Sequence, residues 1–277
     1  MRETLEFRIP EEDAARWLKK SDGVTLGGSV RKLFLDVNDP RMQVICEAQR
    51  EMMRQDDCFF TGWDSRRTYS NAELEAAELF QLQINTFIRV SGEEGGTEYD
   101  EKTACQHCGA GAHQVGPLFL GAKYFPRKSD FGRTIAKEIV ISNRASELFL
   151  HHGITGASFL PVRTMRTISG GWSQLVVQSV EADIVAPTRF GNNPFDDDPK
   201  GEHKCRTGDL LGLNLLSEVS IRSRSRPSVD IFASRQFVGV RRGVLRPERV
   251  LFVSKKLHQL IKRHELKGCQ FEVVHLV

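Results

Sequence analysis

Residues 140–162 read VISNRASELFLHHGITGASFLPV, and residues 252–274 read FVSKKLHQLIKRHELKGCQFEVV. The two stretches align without a gap at an offset of 112 residues. Ser142 matches Ser254, Leu148 matches Leu260, His152 matches His264 and Gly156 matches Gly268. Phe159 matches Phe271, Val162 matches Val274, and Ile154 pairs with Leu266 as a conservative change. Self-similarity of this kind marks a repeated supersecondary unit. In each copy a short apolar strand runs up to a serine, whose side-chain oxygen suits the N-cap of a helix. The helix buries Leu148 and Phe149 in one copy and Leu260 and Ile261 in the other. It ends near His152 or His264, where a cation is favoured by the helix dipole. Gly156 or Gly268 supplies a turn with positive φ, and a second strand carries Phe159 and Val162 or Phe271 and Val274. Each unit is therefore strand–helix–strand, and the two are expected to pack on a shared or paired sheet. Upstream the match fades to Lys123 and Phe125 against Arg235 and Phe237. The histidines read as helix-end residues, which need no chemistry to recur.

The chain before the repeat forms a lobe of helices and strands. Residues 2–9 alternate weakly and predict a strand. Pro10-Glu11-Glu12-Asp13 opens a helix through Lys20, with proline in the first turn and acids at the positive end of the dipole. Pro40 starts a second helix over 40–55, in which Val44, Ile45, Ala48 and Met52 fall near helical spacing. Ser70-Asn71-Ala72-Glu73 is a capping box for a helix reaching about Leu79. Residues 81–90 (QLQINTFIRV) alternate and predict a strand, and short strands are expected near 118–125, 137–141 and 172–185. Residues 190–203 (FGNNPFDDDPKGEH) are rich in Asn, Asp, Pro and Gly and read as an exposed loop. Phe59, Phe60 and Trp63 read as core in preference to an interface anchor. The expected fold is α+β, with two related strand–helix–strand units and an N-terminal helix/strand lobe. Its expected divisions are 1–100, 101–188, a linker at 189–204, and 205–277.

With 40% hydrophobic and 27% charged residues, the 277-residue chain can bury a sizeable core and is not compositionally disordered. The start is charged and broken by Pro10, which excludes a signal segment. No apolar run approaches the roughly 18 residues that span a bilayer, so no membrane role is expected and a cytoplasmic location is. The charge is lopsided. Residues 221–277 carry 13 Lys and Arg against 4 Asp and Glu, whereas residues 1–220 carry 26 against 32. A basic end of this kind binds nucleic acid or an acidic protein, or docks on the chain's own acidic half. Arg222-Ser-Arg-Ser-Arg226 has the look of a nucleic-acid-binding arm, but lacks interleaved aromatics.

Six cysteines spread over this length are not a disulfide framework. Cys46, Cys58 and Cys269 read as small core hydrophobes. Cys105-Gln-His-Cys108-Gly109 has the form of a zinc knuckle: two thiolates two residues apart reach one tetrahedral ion, and glycine tightens the turn. A closed site needs two more ligands, for which His107, His113, His203 and Cys205 are the candidates. The preferred set is Cys105, Cys108, His203 and Cys205, from Glu202-His203-Lys204-Cys205, a second knuckle whose first cysteine would stand at Glu202. A relic knuckle that binds no metal, or a redox Cys-x-x-Cys, are the alternatives. Gly109, Gly111 and Pro117 oppose the helix a redox motif opens. No dinucleotide-binding, phosphate-loop, nucleophile-elbow or His-Glu-x-x-His motif occurs, and Asp196-Asp197-Asp198 lies in a loop without spaced partners. The chain is therefore read as a non-enzyme.

The knuckle, together with the ending Leu251-Phe-Val-Ser254…Leu266-Lys-Gly268-Cys-Gln-Phe271 and its echo at 140–162, resembles the bacterial double-CxxCG proteins, over roughly residues 60–277. These include immunity proteins of toxin systems in bacteria of the myxobacterial type. The resemblance implies a protein that binds and neutralises a cognate toxin, by a complementary surface and not by catalysis. The second CxxCG of that pattern is degraded here to Glu202-His-Lys-Cys205-Arg206. The competing expectation is a zinc-knuckle protein that binds nucleic acid through its basic end.

Overall fold

Pro10 closes a strand and caps a helix in one step. Strand β1 (Arg2–Pro10) runs into α1 (Glu11–Trp17), and acids fill the first helical turn. Then come β2 (Val24–Leu26), β3 (Val30–Asp36), α2 (Arg41–Met53), β4 (Gly62–Thr68) and α3 (Asn71–Ala76). The four strands make an antiparallel sheet in the order β2-β3-β1-β4. Leu5 faces Leu35 and Phe7 faces Leu33 across it. All four are buried, with Ile9, Ile45, Ala48, Phe59 and Phe60. The capping box closes as expected: the Ser70 N–H donates to the Glu73 carboxylate at 2.8 Å, and the Glu73 N–H donates to Ser70 Oγ at 3.3 Å. These residues, Met1–Ala76, are the first of two compact units; Ala77–Val277 is the second. In this computed structural model the described chain omits residues 165–167, 199–200 and 213, and the side chains of 168 and 169. Residues 199 and 200 of the loop expected over 190–203 thus lie outside the described residues.

The second unit opens with β5 (Leu79–Ile84), β6 (Phe87–Ile88), β7 (Glu98–Asp100) and β8 (His113–Val115). The first of the matched stretches, with a strand on either side of it, follows as β9 (Phe131–Thr134), β10 (Ile139–Ser142), α4 (Asn143–His151), β11 (Ala157–Arg163) and β12 (Ile168–Val177). Four short strands come next: β13 (Ile184–Val185), β14 (Phe190–Gly191), β15 (Asn214–Leu215) and β16 (Val219–Ile221). The chain ends with β17 (Ile231–Val238), β18 (Glu248–Ser254), α5 (Lys255–Arg263) and β19 (Cys269–Leu276). The architecture is α+β and mostly sheet. The two stretches sit on separate sheets and not on a shared one: β11-β12-β10-β9-β6 has five strands and β13-β16-β19-β5-β18-β17 has six.

Each helix crosses between strands that flank a third. β10 and β11 both pair antiparallel with β12, and β18 and β19 both pair antiparallel with β5. Residues 79–84, in sequence part of the N-terminal third, thus form a central strand for the C-terminal stretch. That placement ends α3 at Ala76, short of Leu79, because Leu79 is already paired with Ser254. The strand expected over 81–90 is split at Asn85–Thr86, and its halves enter different sheets. No strand forms over 118–125 beyond a single bridge from Phe119 to Arg163; a 3-10 turn at Ala122–Tyr124 stands there.

The two helices are held by matching contacts. Ser142 Oγ accepts from the Ala145 N–H and donates to Asp130; Ser254 Oγ accepts from the Leu257 N–H and donates to Asp230. The Asp130 carboxylate accepts from the Lys267 N–H at 2.9 Å, and that of Asp230 from the Thr155 N–H at 3.1 Å. Arg144 donates to the His264 carbonyl and Lys256 to the Gly153 carbonyl, so each helix reaches the end of the other. The rings of His152 and His264 lie 5.6 Å apart at the two C-caps. Gly156 (φ +95°) and Gly268 (φ +100°) are required here, since a Cβ would fall 2.0 Å from the Ile231 carbonyl oxygen and 2.5 Å from that of Phe131. Upstream of the helices the spacing changes. Twelve residues separate Asp130 from Ser142 and 24 separate Asp230 from Ser254, because the β17–β18 hairpin is longer. The pairing of Lys123 and Phe125 with Arg235 and Phe237 therefore does not carry through these contacts.

Candidate metal centre

The hairpin of β7 and β8 brackets the first cysteine turn. The Gly109 N–H donates to the Cys105 carbonyl at 2.7 Å, and the Cys105 N–H to the Ala110 carbonyl at 2.7 Å. Gly109 takes φ +76°, a value that costs a side chain dearly, and Arg241 fills the space a Cβ would need. A second turn closes in the same manner 100 residues later. The Gly208 N–H donates to the Cys205 carbonyl at 2.8 Å, the Cys205 N–H donates to the Asp209 carbonyl at 2.8 Å, and Gly208 takes φ +88°. Cys205 thus opens its turn, as Cys105 does. The expected register, with Cys205 closing a knuckle begun at Glu202, is corrected by these bonds. The second turn is Cys205-Arg-Thr-Gly208-Asp209, one residue shorter than Cys105-Gln-His-Cys108-Gly109-Ala110, and the cysteine it lacks is the counterpart of Cys108.

The two turns bring three thiols together. The Sγ atoms of Cys105, Cys108 and Cys205 all lie within 4.8 Å of one another, and those of Cys105 and Cys205 are 3.5 Å apart. That is too long for a disulfide, whose S–S length is about 2.05 Å. It approaches the ~3.8 Å edge of a tetrahedron with Zn–S bonds of about 2.3 Å. The three cysteines can hold a metal ion. Cys108 and Cys205 are buried, and Ala110, Leu211 and Phe237 pack against them. The Arg241 N–H ties the first turn to a later segment by donating to the Cys108 carbonyl at 2.9 Å.

The electrostatics suit a cation. The N–H groups of Cys108 and His107 point at the Cys105 sulfur and, with the Cys205 thiol, hold its pKa down to about 7. Burial pushes the Cys108 thiol up to about 12, against the help of the Ala110 N–H. One thiolate is thus favoured, while a second beside it is opposed by desolvation and like charge. A divalent ion reverses that balance by neutralising the sulfurs, with release of protons. The donor set is soft and sulfur-rich, which fits zinc better than calcium or magnesium.

Of the four ligands expected from sequence, His203 does not join the cluster. Its Nε2 pairs with the Asp196 carboxylate at 2.7 Å. Asp196 also accepts from the N–H groups of Asn192 and Asp198, so it organises the 190–203 loop. His107 and His113 are exposed, and among the described residues neither belongs to the metal-ligand group. Cys58 is exposed, contrary to its reading as a core residue, and Cys46 and Cys269 are half-buried.

Sequence reasoning missed Asp209. It is 8% exposed, its Oδ2 lies 3.8 Å from Cys108 Sγ, and its Oδ1 accepts from the Phe237 N–H at 2.9 Å. Its position directly after Gly208 was the available signal. Part of the basic end is engaged within the second unit. Arg222 and Arg235 pair with Asp183, Arg226 with Glu78, Arg241 with Glu101, Arg246 with Glu93 and Glu101, and Lys256 with Asp230. Among the described residues no helix is long and apolar enough to cross a membrane. No protein-family profile matches the chain, and no curated protein matches it.

Proposed function

We propose that this chain is a protein-binding protein of the toxin-immunity type, with a structural zinc ion on Cys105, Cys108 and Cys205 stapling two distant segments of its second unit. The observation that carries the metal half is the meeting of three thiols from turns 100 residues apart in a sheltered apolar cluster. Such a site stabilises by closing a long loop, a role in which removing the ion unfolds the surrounding segment. The matching contacts about α4 and α5 support a duplicated pair of strand–helix–strand units as its framework.

The partner half rests on the resemblance to double-CxxCG proteins, and the first unit offers a surface suited to it. On the face of its sheet turned away from Leu5, Phe7, Leu33 and Leu35, Phe34 is 57% exposed and Val24 is 65% exposed. The Lys32 ammonium sits 4.8 Å over the Phe34 ring, and Glu6, Arg8 and Asp64 share that face. An aromatic anchor ringed by mixed charge is the usual anatomy of a protein-binding hot spot. The pairing of five of the nine arginines in 221–277 with internal acids favours this reading over nucleic-acid binding.

The test joins metal analysis of the purified chain to capture of its partner from the native host. One zinc per chain, and one stoichiometric protein whose toxicity in a reporter cell the chain abolishes, would bear the proposal out. Phe34→Asp should then weaken capture while leaving the fold intact. Nucleic acid recovered in its place, and released by moderate salt, would replace this reading with the basic-end alternative.

A further inference from the structure

We propose that the Asp209 carboxylate is the fourth ligand of the metal centre, taking the place of the cysteine that the second turn lacks. This rests on the metal reading above and extends it. Three thiolates leave one tetrahedral position open, and an open position admits water. Asp209 is a buried acid beside Cys108 that can answer that vacancy. A tetrahedral ion with Zn–S near 2.3 Å and Zn–O near 2.1 Å sets sulfur and oxygen about 3.6 Å apart. Asp209 Oδ2 stands 3.8 Å from Cys108 Sγ. It is not within 4.8 Å of all three sulfurs, so the acid would close on the ion as the two turns draw together around it.

The carboxylate is also held as a ligand would be. The Phe237 N–H fixes Oδ1 at 2.9 Å, and the Thr207 hydroxyl donates to Oδ2 at 2.8 Å. Both partners orient the group and leave Oδ2 with a lone pair for an ion, as outer-shell hydrogen bonds do for metal-bound carboxylates. The shortened turn explains how the acid arrives there. Gly208 makes the bend that Gly109 makes in the first turn, but one residue earlier after its cysteine, so Asp209 occupies the position of Ala110. Charge agrees as well. Three thiolates and a carboxylate give the ion the same four negative charges as four thiolates. The centre is then closed and structural, with a harder fourth donor than a double knuckle provides.

The experiment is a cobalt(II) titration of the purified full chain, followed by its visible spectrum. Wild type should show tetrahedral cobalt with sulfur charge-transfer bands, indifferent to added imidazole. Asp209→Ala should bind cobalt at least about tenfold more weakly, and its spectrum should shift on adding imidazole, because the fourth position is open. Asp209→Asn, which keeps the acceptor for the Phe237 N–H and hence the turn, should weaken binding in the same direction if Asp209→Ala fails to fold. Asp209→Cys should raise the charge-transfer intensity by about a third, as a fourth thiolate joins three. Asp209→Ala or Asp209→Asn with wild-type affinity and spectrum would overturn the assignment of Asp209 and leave the three-thiol centre standing. A wild-type chain that takes up no cobalt, like its Cys105→Ser variant, would overturn the metal reading itself.

Discussion

His258 should make the second unit sensitive to acid as pH falls below about 6.5. It lies on α5 with its ring stacked 4.0 Å from Phe80 and edge-on to Phe271 at 4.7 Å, and it is 7% exposed. Its Nε2 is buried without a hydrogen-bond partner. Burial, helped by the charge of Lys262, lowers its pKa from 6.5 to about 4. The folded state therefore resists a proton that the unfolded chain accepts below about pH 6.5. Above pH 6.5 the group is neutral in both states and contributes nothing. As pH falls the unfolded state gains about 1.4 kcal/mol per unit, which is about 2 kcal/mol by pH 5 and on the order of 3 kcal/mol at pH 4. For a unit of this size, 2 kcal/mol is a fall in melting temperature of about 4–8 °C. His258→Phe keeps an aromatic ring in the stack and has no proton to take up. Urea unfolding of both proteins from pH 7 to pH 4.5 should show wild type losing stability that the variant retains. A wild-type minus variant difference that stays flat within about 0.5 kcal/mol from pH 7 to pH 5 would refute the buried, neutral histidine.

Asp230→Ala should cost about 3 kcal/mol by urea unfolding, because the Ser254 hydroxyl and the Thr155 N–H lose a charged acceptor worth about 1.5–3 kcal/mol each; a loss under 0.5 kcal/mol would deny the clasp. Because its hydrogen bonds hold the Asp230 carboxyl below the usual range against the opposing effect of burial, the contribution of this group is present above about pH 4 and fades as pH falls through the lowered folded value. Gly156→Ala should destabilise by at least about 2 kcal/mol, since its Cβ would strike the Ile231 carbonyl, whereas Gly153→Ala meets no atom within 4 Å and should cost only about 1 kcal/mol for its positive φ. Stripping the metal with a chelator should lower the melting temperature of the second unit, by the equivalent of about 4 kcal/mol relative to zinc at a thousandfold over its Kd. The Cys205→Ser variant should melt at the stripped temperature with or without zinc.

Local signals were legible in the sequence, and long-range ones were not. Pro10, Pro40 and the Ser70–Glu73 box act within one helical turn, and each marks a helix where the structure has one. Ser142 and Ser254 are local in the same way, since an N-cap needs only the next three residues. What escaped is pairing across distance. Nothing in QLQINTFIRV says that its first half will enter between two strands near the end of the chain, or that its second half will join a different sheet. The alternating pattern specifies a strand but not its neighbours. The hydrophobic alternation therefore reads as one strand of the N-terminal lobe, and the sequence alone points to a division near residue 100.

The candidate metal centre divides along the same line. Two residues separate Cys105 from Cys108, and the chemistry of that spacing is visible at once; Cys205 is one of several distant candidates, and its convergence on the pair depends on the fold. The choice of His203 followed from its closeness to Cys205 in sequence, but an acid seven residues away, Asp196, takes its ring. Asp209 was hidden by register. The matched stretches around α4 and α5 keep an offset of 112, and applying that offset upstream places no cysteine opposite Cys105. The contacts keep an offset of 100 there: Cys105 meets Cys205, and Asp130 and Asp230 play the same part for their serines. The 12 additional residues between Asp230 and Ser254 belong to the longer β17–β18 hairpin. A sequence comparison that fixes one offset across both segments must misplace the second cysteine turn. Once the hairpin is allowed its extra length, Cys205 falls opposite Cys105, and the segment through Asp209 is seen to lack a counterpart of Cys108.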